Sequence, residues 1–318
     1  MKNIIVFILM FSFIMLSGCS YFKGSNLQNV GMLFESDMEN NAWNEKGYEG
    51  LLEIEKKFRT DVFYKENIRN ESEISRAVDE FVRNGVNLVI GHGNIYGSHF
   101  AELTKAYPEV HFVYMNGDIY NSGITSLNLN SHALGFFGGM VAGEMTKTDK
   151  VGIIAVFSWQ PELEGIYEGV KYQNPSADIK IDFVNDWDDE ERAMNMYEAF
   201  RAAGVDVILS LGNAFSKSVI ERAASDGIHS IGYITDQHEL APEFVLTSLI
   251  QHVDKLYVKV ADDFNQEELV GGIRTYDFHD EYISLGTFNE KVPESFQEEV
   301  LAAIEHYQET NLLPNERR

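Results

Sequence analysis

The stretch Asn84-Gly85-Val86-Asn87-Leu88-Val89-Ile90 returns 119 residues later as Ala203-Gly204-Val205-Asp206-Val207-Ile208-Leu209. Each copy joins the end of a predicted helix to a predicted strand rich in β-branched and aliphatic residues. Working outward, Val30-Gly31-Met32-Leu33 is answered 121 residues on by Val151-Gly152-Ile153-Ile154, and Gly47-Tyr48-Glu49-Gly50 is answered 119 residues on by the segment from Gly165 to Gly169. A nearly constant offset implies a duplicated unit.

Short apolar runs, from Val30–Phe34 to Val245–Ser248, alternate with longer amphipathic stretches, from Trp43–Phe58 to Pro293–Thr310. This is the βα rhythm of parallel sheets. It predicts an α/β protein of two doubly wound, Rossmann-like lobes. One lobe is expected to comprise 28–129 plus about 252–285, the other 130–251 plus about 286–318. Ligands in open α/β sheets sit beyond the strand carboxyl ends, so two such lobes facing each other leave a cleft that closes by hinge bending. Loops at that rim carry Trp43, Trp159 and Trp187, which are all of the tryptophans in the chain. Three indoles on one side favour a planar or sugar ligand.

At the amino terminus an apolar run, Ile4 to Leu16, leads into Leu16-Ser17-Gly18-Cys19, the only cysteine in the chain. The run is short for a helix crossing about 30 Å of hydrocarbon and suits a cleavable leader. Small residues before a cysteine with no partner read as a bacterial lipobox. Residues 1–18 are then a lipoprotein signal peptide, Cys19 is the lipidated residue and 19–27 is a tether. Each buried methylene of the acyl chains contributes about 0.8 kcal/mol, which would hold the protein on the extracytoplasmic face of the cell membrane.

With 25 basic against 50 acidic side chains the formal charge is −25. Such a surface repels phosphate backbones, so direct nucleic-acid binding is not expected. No Gly-x-Ser-x-Gly elbow and no phosphate-cradling loop with lysine occurs, and the histidines are scattered without metal-ligand spacing. Neither catalysis nor a cofactor nor a metal is expected. Gly91-His92-Gly93 reads as a tight turn after a strand, and Asp188 and Asp189 read as caps of the helix that follows.

Several motifs together resemble the basic membrane protein family of substrate-binding lipoproteins. They are Val30-Gly31-Met32-Leu33, Ala42-Trp43-Asn44, Gly47-Tyr48-Glu49-Gly50, Gly135-Phe136-Phe137-Gly138-Gly139, Val151-Gly152-Ile153-Ile154, Ile231-Gly232-Tyr233-Ile234-Thr235-Asp236-Gln237 and Val245-Leu246-Thr247-Ser248. They span nearly the whole mature chain. The best-known members of that family are purine nucleoside receptors serving ABC importers. The resemblance implies a type I periplasmic-binding-protein fold with a hinge and an interlobe cleft, and a permease as partner. Gly91-His92-Gly93, Trp159-Gln160-Pro161-Glu162 and Asp186-Trp187-Asp188-Asp189 are nearer to a bacillar member that regulates competence.

The resemblance implies ligand contacts at Trp43, Asn44, Asn116, Phe137, Trp159, Gly212, Ile234, Asp236 and Gln251. Trp43 stands where the family has a stacking phenylalanine. Asn116 and Ile234 stand where it has ribose-binding aspartates, and Gln251 where it has a lysine. Charge-assisted hydrogen bonds are about twice as strong as neutral ones, and each lost partner to a buried hydroxyl costs about 1–3 kcal/mol. Nucleoside affinity is therefore expected to fall by about 10²-fold or more, or the ligand to differ. Two roles follow: capture of a small nucleoside-like solute for an ABC importer, or indirect regulation from the membrane with nucleoside binding reduced or lost.

Overall fold

The structure, a computed structural model, describes residues 26–39, 41–120 and 122–316. The leader, Cys19 and most of the tether lie outside the described residues.

The first sheet contains β1 (Asn29–Leu33), β2 (Val62–Lys65), β3 (Val86–Gly91), β4 (His111–Met115) and β5 (Ile124–Leu129), joined by β11 (Gly272–Tyr276). Its order is β11-β5-β4-β3-β1-β2, parallel throughout. The second sheet contains β6 (Lys150–Ala155), β7 (Asp178–Phe183), β8 (Val207–Ser210), β9 (His229–Ile234) and β10 (Val245–Gln251), joined by β12 (Ile283–Leu285). Its order is β12-β10-β9-β8-β6-β7. Strands β1 to β5 thus map one to one onto β6 to β10, which is the duplication read from the sequence. Only the sixth strands differ, because β12 runs antiparallel to β10.

Helices α1 (Ala42–Phe58), α2 (Glu71–Arg83) and α3 (Tyr96–Ala106) serve the first lobe. Helices α5 (Pro161–Gln173), α6 (Glu190–Ala202) and α7 (Phe215–Ser225) serve the second. Asparagines and an aspartate start several of them: Asn41 accepts from the Asn44 amide, Asn70 from Glu73 and Asp189 from Arg192. Each cap satisfies an amide that has no partner within the helix.

The chain crosses between lobes after β5, after β10 and after β11. The first crossing enters α4 (Ser131–Met145), the second enters α8 (Val253–Asn265), which packs on α1, and the last described α-helix, α9 (Glu294–Thr310), lies against α4. The expected lobe boundary near 285 moves to the segment between Tyr276 and Ile283, because Ile283 to Leu285 pair with Gln251 to Leu249 of the second sheet.

Helix α4 is apolar almost all round and buried, as a helix without a solvent face must be. It lies against α5 along a seam of glycines. A Cβ on Gly135 would overlap the Glu162 carbonyl, and one on Gly169 would overlap the Phe136 carbonyl. Backbone contact along this seam fixes the amino end of α5, which opens on the cleft.

Candidate functional site

A cleft of about 550 Å³ separates the lobes, lined by residues of both. Its wall is built from strand carboxyl ends: Glu35 and Ser36 follow β1, His92 to Asn94 follow β3, Asn116 follows β4, Phe157 follows β6, and Tyr233, Ile234 and Gln251 close β9 and β10. This is where a doubly wound sheet leaves room for a ligand.

On the first lobe the indole of Trp43 lies on the imidazole of His92, with centroids 4.4 Å apart and planes 19° apart. His92 Nε2 is 2.8 Å from the Trp43 carbonyl oxygen, and Nδ1 is 2.5 Å from the Tyr257 hydroxyl. A carbonyl can only accept, so Nε2 carries the proton and Nδ1 accepts from Tyr257. Burial pushes the His92 pKa down to about 3, with the Trp43 hydrogen bond opposing. The ring is therefore neutral at physiological pH. Gly47 makes this packing possible, since a Cβ there would lie 2.7 Å from His92 Cε1. Asn44 is buried and donates to the carbonyls of Ser36, at 3.0 Å, and Asp37, at 2.9 Å. It holds the loop after β1 against α1.

The second lobe presents an aromatic face. Phe157 and Trp159 stack at 5.3 Å and 10°, and Trp187 meets Phe157 edge-on at 5.6 Å and 73°. Trp159 is 56% exposed, a large apolar side chain left at the rim. Gln160 braces the loop from below: its Oε1 accepts from the amides of Val156 and Phe157, and its Nε2 donates to the Leu211 carbonyl at 3.0 Å.

Glu162, in the first turn of α5, is only 3% exposed yet lines the cleft. The Tyr233 hydroxyl donates to its carboxylate. Burial raises the Glu162 pKa and the Tyr233 bond opposes this. At the mouth, burial pushes Glu35 up to about 7, with the Arg69 guanidinium pulling it down and Asp188 of the other lobe pushing it up. Arg69 Nε donates to the Glu35 carbonyl at 2.6 Å. Asp188 is raised in turn by burial and by Asp186, against the pull of Arg69. The two lobes are thus coupled electrostatically across the opening.

Of the residues expected to meet a ligand, Trp43, Asn44, Asn116, Trp159, Ile234 and Gln251 line the cleft. Three do not. Phe137 is fully buried in α4 and meets Phe278 edge-on at 5.4 Å, so its motif serves helix packing. Gly212 is covered by the Phe215 ring, which a Cβ would overlap. Asp236 accepts from Thr287, through both the amide and the hydroxyl, and from His238 and Ser248. Burial would raise its pKa, but these bonds outweigh burial and hold it below the usual range. It staples the loop after β9 to the segment after β12. Asp189 is a cap as expected, whereas Asp188 lines the cleft.

Ile234 has φ of 71°, and the Thr235 amide bonds the Tyr233 carbonyl at 2.9 Å across it. This is a γ-turn in the left-handed region, where a β-branched residue is strained by about 1–3 kcal/mol. His92, Glu35, Arg69, Glu162 and Tyr233 line the cleft without having been expected there, although His92, Glu162 and Tyr233 lie within the family-like motifs.

Two lobes of matching strand order with an aromatic cleft between them define a two-lobed solute-binding protein of type I periplasmic architecture. The chain belongs to the ABC transporter substrate-binding protein PnrA-like family, whose model matches residues 27–314. It is 40% identical over 303 residues to the transcriptional activator protein Med of Bacillus subtilis, covering 95% of each chain. It is similar, at 40% identity and a TM-score of 0.84, to a crystal structure of a transcriptional activator of the comK gene from Bacillus halodurans, covering 90% of this chain and 99% of that one. An ABC transporter solute-binding protein from Conexibacter woesei shares the fold, with a TM-score of 0.74 at 19% identity, covering 92% of this chain and all of that one.

Proposed function

We propose that this protein is an extracytoplasmic, lipid-anchored receptor that captures a small planar, nucleoside-like solute between its lobes and hands it to an ABC importer. The observation that carries the reading is that each lobe contributes an indole to one cleft of about 550 Å³, with Trp43 opposite the face of Phe157, Trp159 and Trp187. A volume in this range suits a small ligand, and aromatic walls suit a planar one. Cys19 supplies the anchor. Asn116, Ile234 and Gln251 replace the charged clamp of the nucleoside receptors, so plain nucleosides bind weakly.

A second reading, indirect regulation of transcription from the membrane, draws support from the 40% identity with an activator along 95% of the chain. The two roles are compatible, since a receptor can signal its closed state. The formal charge of −25 argues that any such effect proceeds without DNA contact. Isothermal titration of the chain from Ser20 onward against guanosine, adenosine and inosine tests the first reading. Weak, saturable heat supports it, and no heat with any of them favours the regulator. A retarded band in a gel-shift assay at physiological salt would overturn the indirect route.

A further inference from the structure

We propose that the solute this cleft is built for is a planar organic cation, stacked on Trp43 and the Phe157/Trp159 face with its positive charge directed at Glu162. The inference rests on the solute-capture reading above and assigns the charge of the solute.

The first ground is the charge inventory of the lining. Four carboxyl side chains, Glu35, Glu162, Asp186 and Asp188, face the cleft against a single guanidinium, that of Arg69. Arg69 Nε donates to the Glu35 backbone carbonyl, and its charge opposes the upward shift of both Glu35 and Asp188. The imidazole of His92 adds nothing, because its buried ring is neutral. A lining with more carboxyls than cationic groups favours a cation over an anion, because a bound cation stabilises the ionised carboxylates and draws off the protons that burial keeps on them.

Glu162 is the second ground. It is buried, lines the cavity, and among the described residues no Lys, Arg or His forms an ion pair with it. Its protein partner is the Tyr233 hydroxyl, a neutral donor, and the neighbouring lining residues Gln160 and Gln251 are neutral amides. A buried carboxylate without a counter-charge is costly. Burial therefore favours the neutral acid, and a ligand cation is what makes the ionised form favourable at the moment of binding, whereas a neutral ligand does not.

The walls are the third ground. Indole faces attract cations through their quadrupole, tryptophan most strongly, and a delocalised planar cation meets that attraction and the stacking geometry together. A neutral heterocycle gains only the stacking.

Matched pairs that differ in charge and scarcely in shape test this directly. The probes are 1-methyladenosine against adenosine at pH 7, and 7-methylguanosine against guanosine at pH 6. The methylated member carries the positive charge. Titration is followed by calorimetry and tryptophan fluorescence on the chain from Ser20, which contains every described element. The charged member is expected to bind about tenfold to a hundredfold more tightly in each pair. Glu162→Gln is expected to bring the ratio close to one. A second measurement needs no variant. The heat of binding the cation should vary with the ionisation enthalpy of the buffer, as protons leave the cleft carboxyls, and the heat of binding the neutral member should not. Equal affinity within the pairs, or tighter binding of the neutral member, overturns the charge assignment and leaves solute capture standing. A ratio that persists in Glu162→Gln also overturns the role of Glu162. Silence from both members of both pairs overturns the capture reading and the charge assignment together.

Discussion

The indole of Trp43 rests flat on the imidazole of His92, 4.4 Å between centroids, while His92 is itself hydrogen-bonded to the Trp43 carbonyl and to Tyr257. A wall residue of the cleft is thus set by a fully buried neutral ring beneath it. Rigid placement of an aromatic platform reduces the entropy lost on ligand binding.

His92→Ala removes the platform and leaves the Tyr257 hydroxyl and the Trp43 carbonyl without that partner. It should destabilise the fold by about 3 kcal/mol and blue- or red-shift the Trp43 emission. Urea unfolding and fluorescence spectra check both. His92 also gives stability a pH dependence. Its folded pKa, about 3, lies below the unfolded value of 6.5, so its contribution is fully present above pH 6.5 and is lost as pH falls toward 3. The loss runs at about 1.4 kcal/mol per pH unit. In His92→Phe that component of the slope should vanish.

Glu35 acts with the opposite sign. Its folded pKa of about 7 lies above the ordinary 4.5, so its contribution is fully present below pH 4.5 and is lost as pH rises through 7. Glu35→Gln should therefore gain stability over the parent as pH climbs across that window, by about 2 kcal/mol once partial solvent screening is allowed for. Thermal melts of the two proteins at pH 4.5 and pH 7.5 measure the difference directly.

Phe137 and Trp43 should separate stability from binding. Phe137→Ala opens a cavity in the packed second lobe and should cost about 3–5 kcal/mol, with little change in affinity for any solute that binds the folded protein. Trp43→Ala should do the reverse, since Trp43 is half-buried and lines the cleft. Denaturant melts and titrations on both variants give the four numbers needed.

Ile234 holds a left-handed backbone conformation that asparagine and aspartate adopt more readily. Ile234→Asp should relieve backbone strain and place a carboxylate at the cleft wall. A gain of about tenfold in adenosine affinity is expected, read by calorimetry. An unchanged affinity would show that the side chain there does not face the solute.

The βα rhythm made strands β1 to β10 and helices α1 to α9 legible, because the buried central strands are continuous apolar runs and most helices between them keep an apolar stripe, with α4 apolar almost all round. Strands β11 and β12 were not legible. β11 starts at a glycine with φ of 139° and then alternates exposed with partly covered residues at a sheet edge. β12 has only 3 residues. Their absence from the reading is what misplaced the last lobe crossing.

The site was legible where strand-end loops carry bulky residues, as at Trp43, Trp159 and Trp187. It was not legible where function depends on partners distant in sequence. His92 meets Trp43 across 49 residues and Glu162 meets Tyr233 across 71, and no local pattern encodes either pair. Phe137 and Asp236 misled for the same reason. A motif names residue types, but whether a side chain faces a cleft, a helix or a loop is settled by the packing around it.

The interlobe cleft is the proposed solute site. Its most direct test is calorimetric titration of a planar solute panel, neutral and cationic nucleosides included, into the parent protein and into a Trp43→Ala, Trp187→Ala double variant. Saturable binding by the parent should weaken by about a hundredfold in the variant, from two lost aromatic contacts. Binding that is indifferent to both indoles, or a parent protein that takes up nothing from the panel, would contradict it.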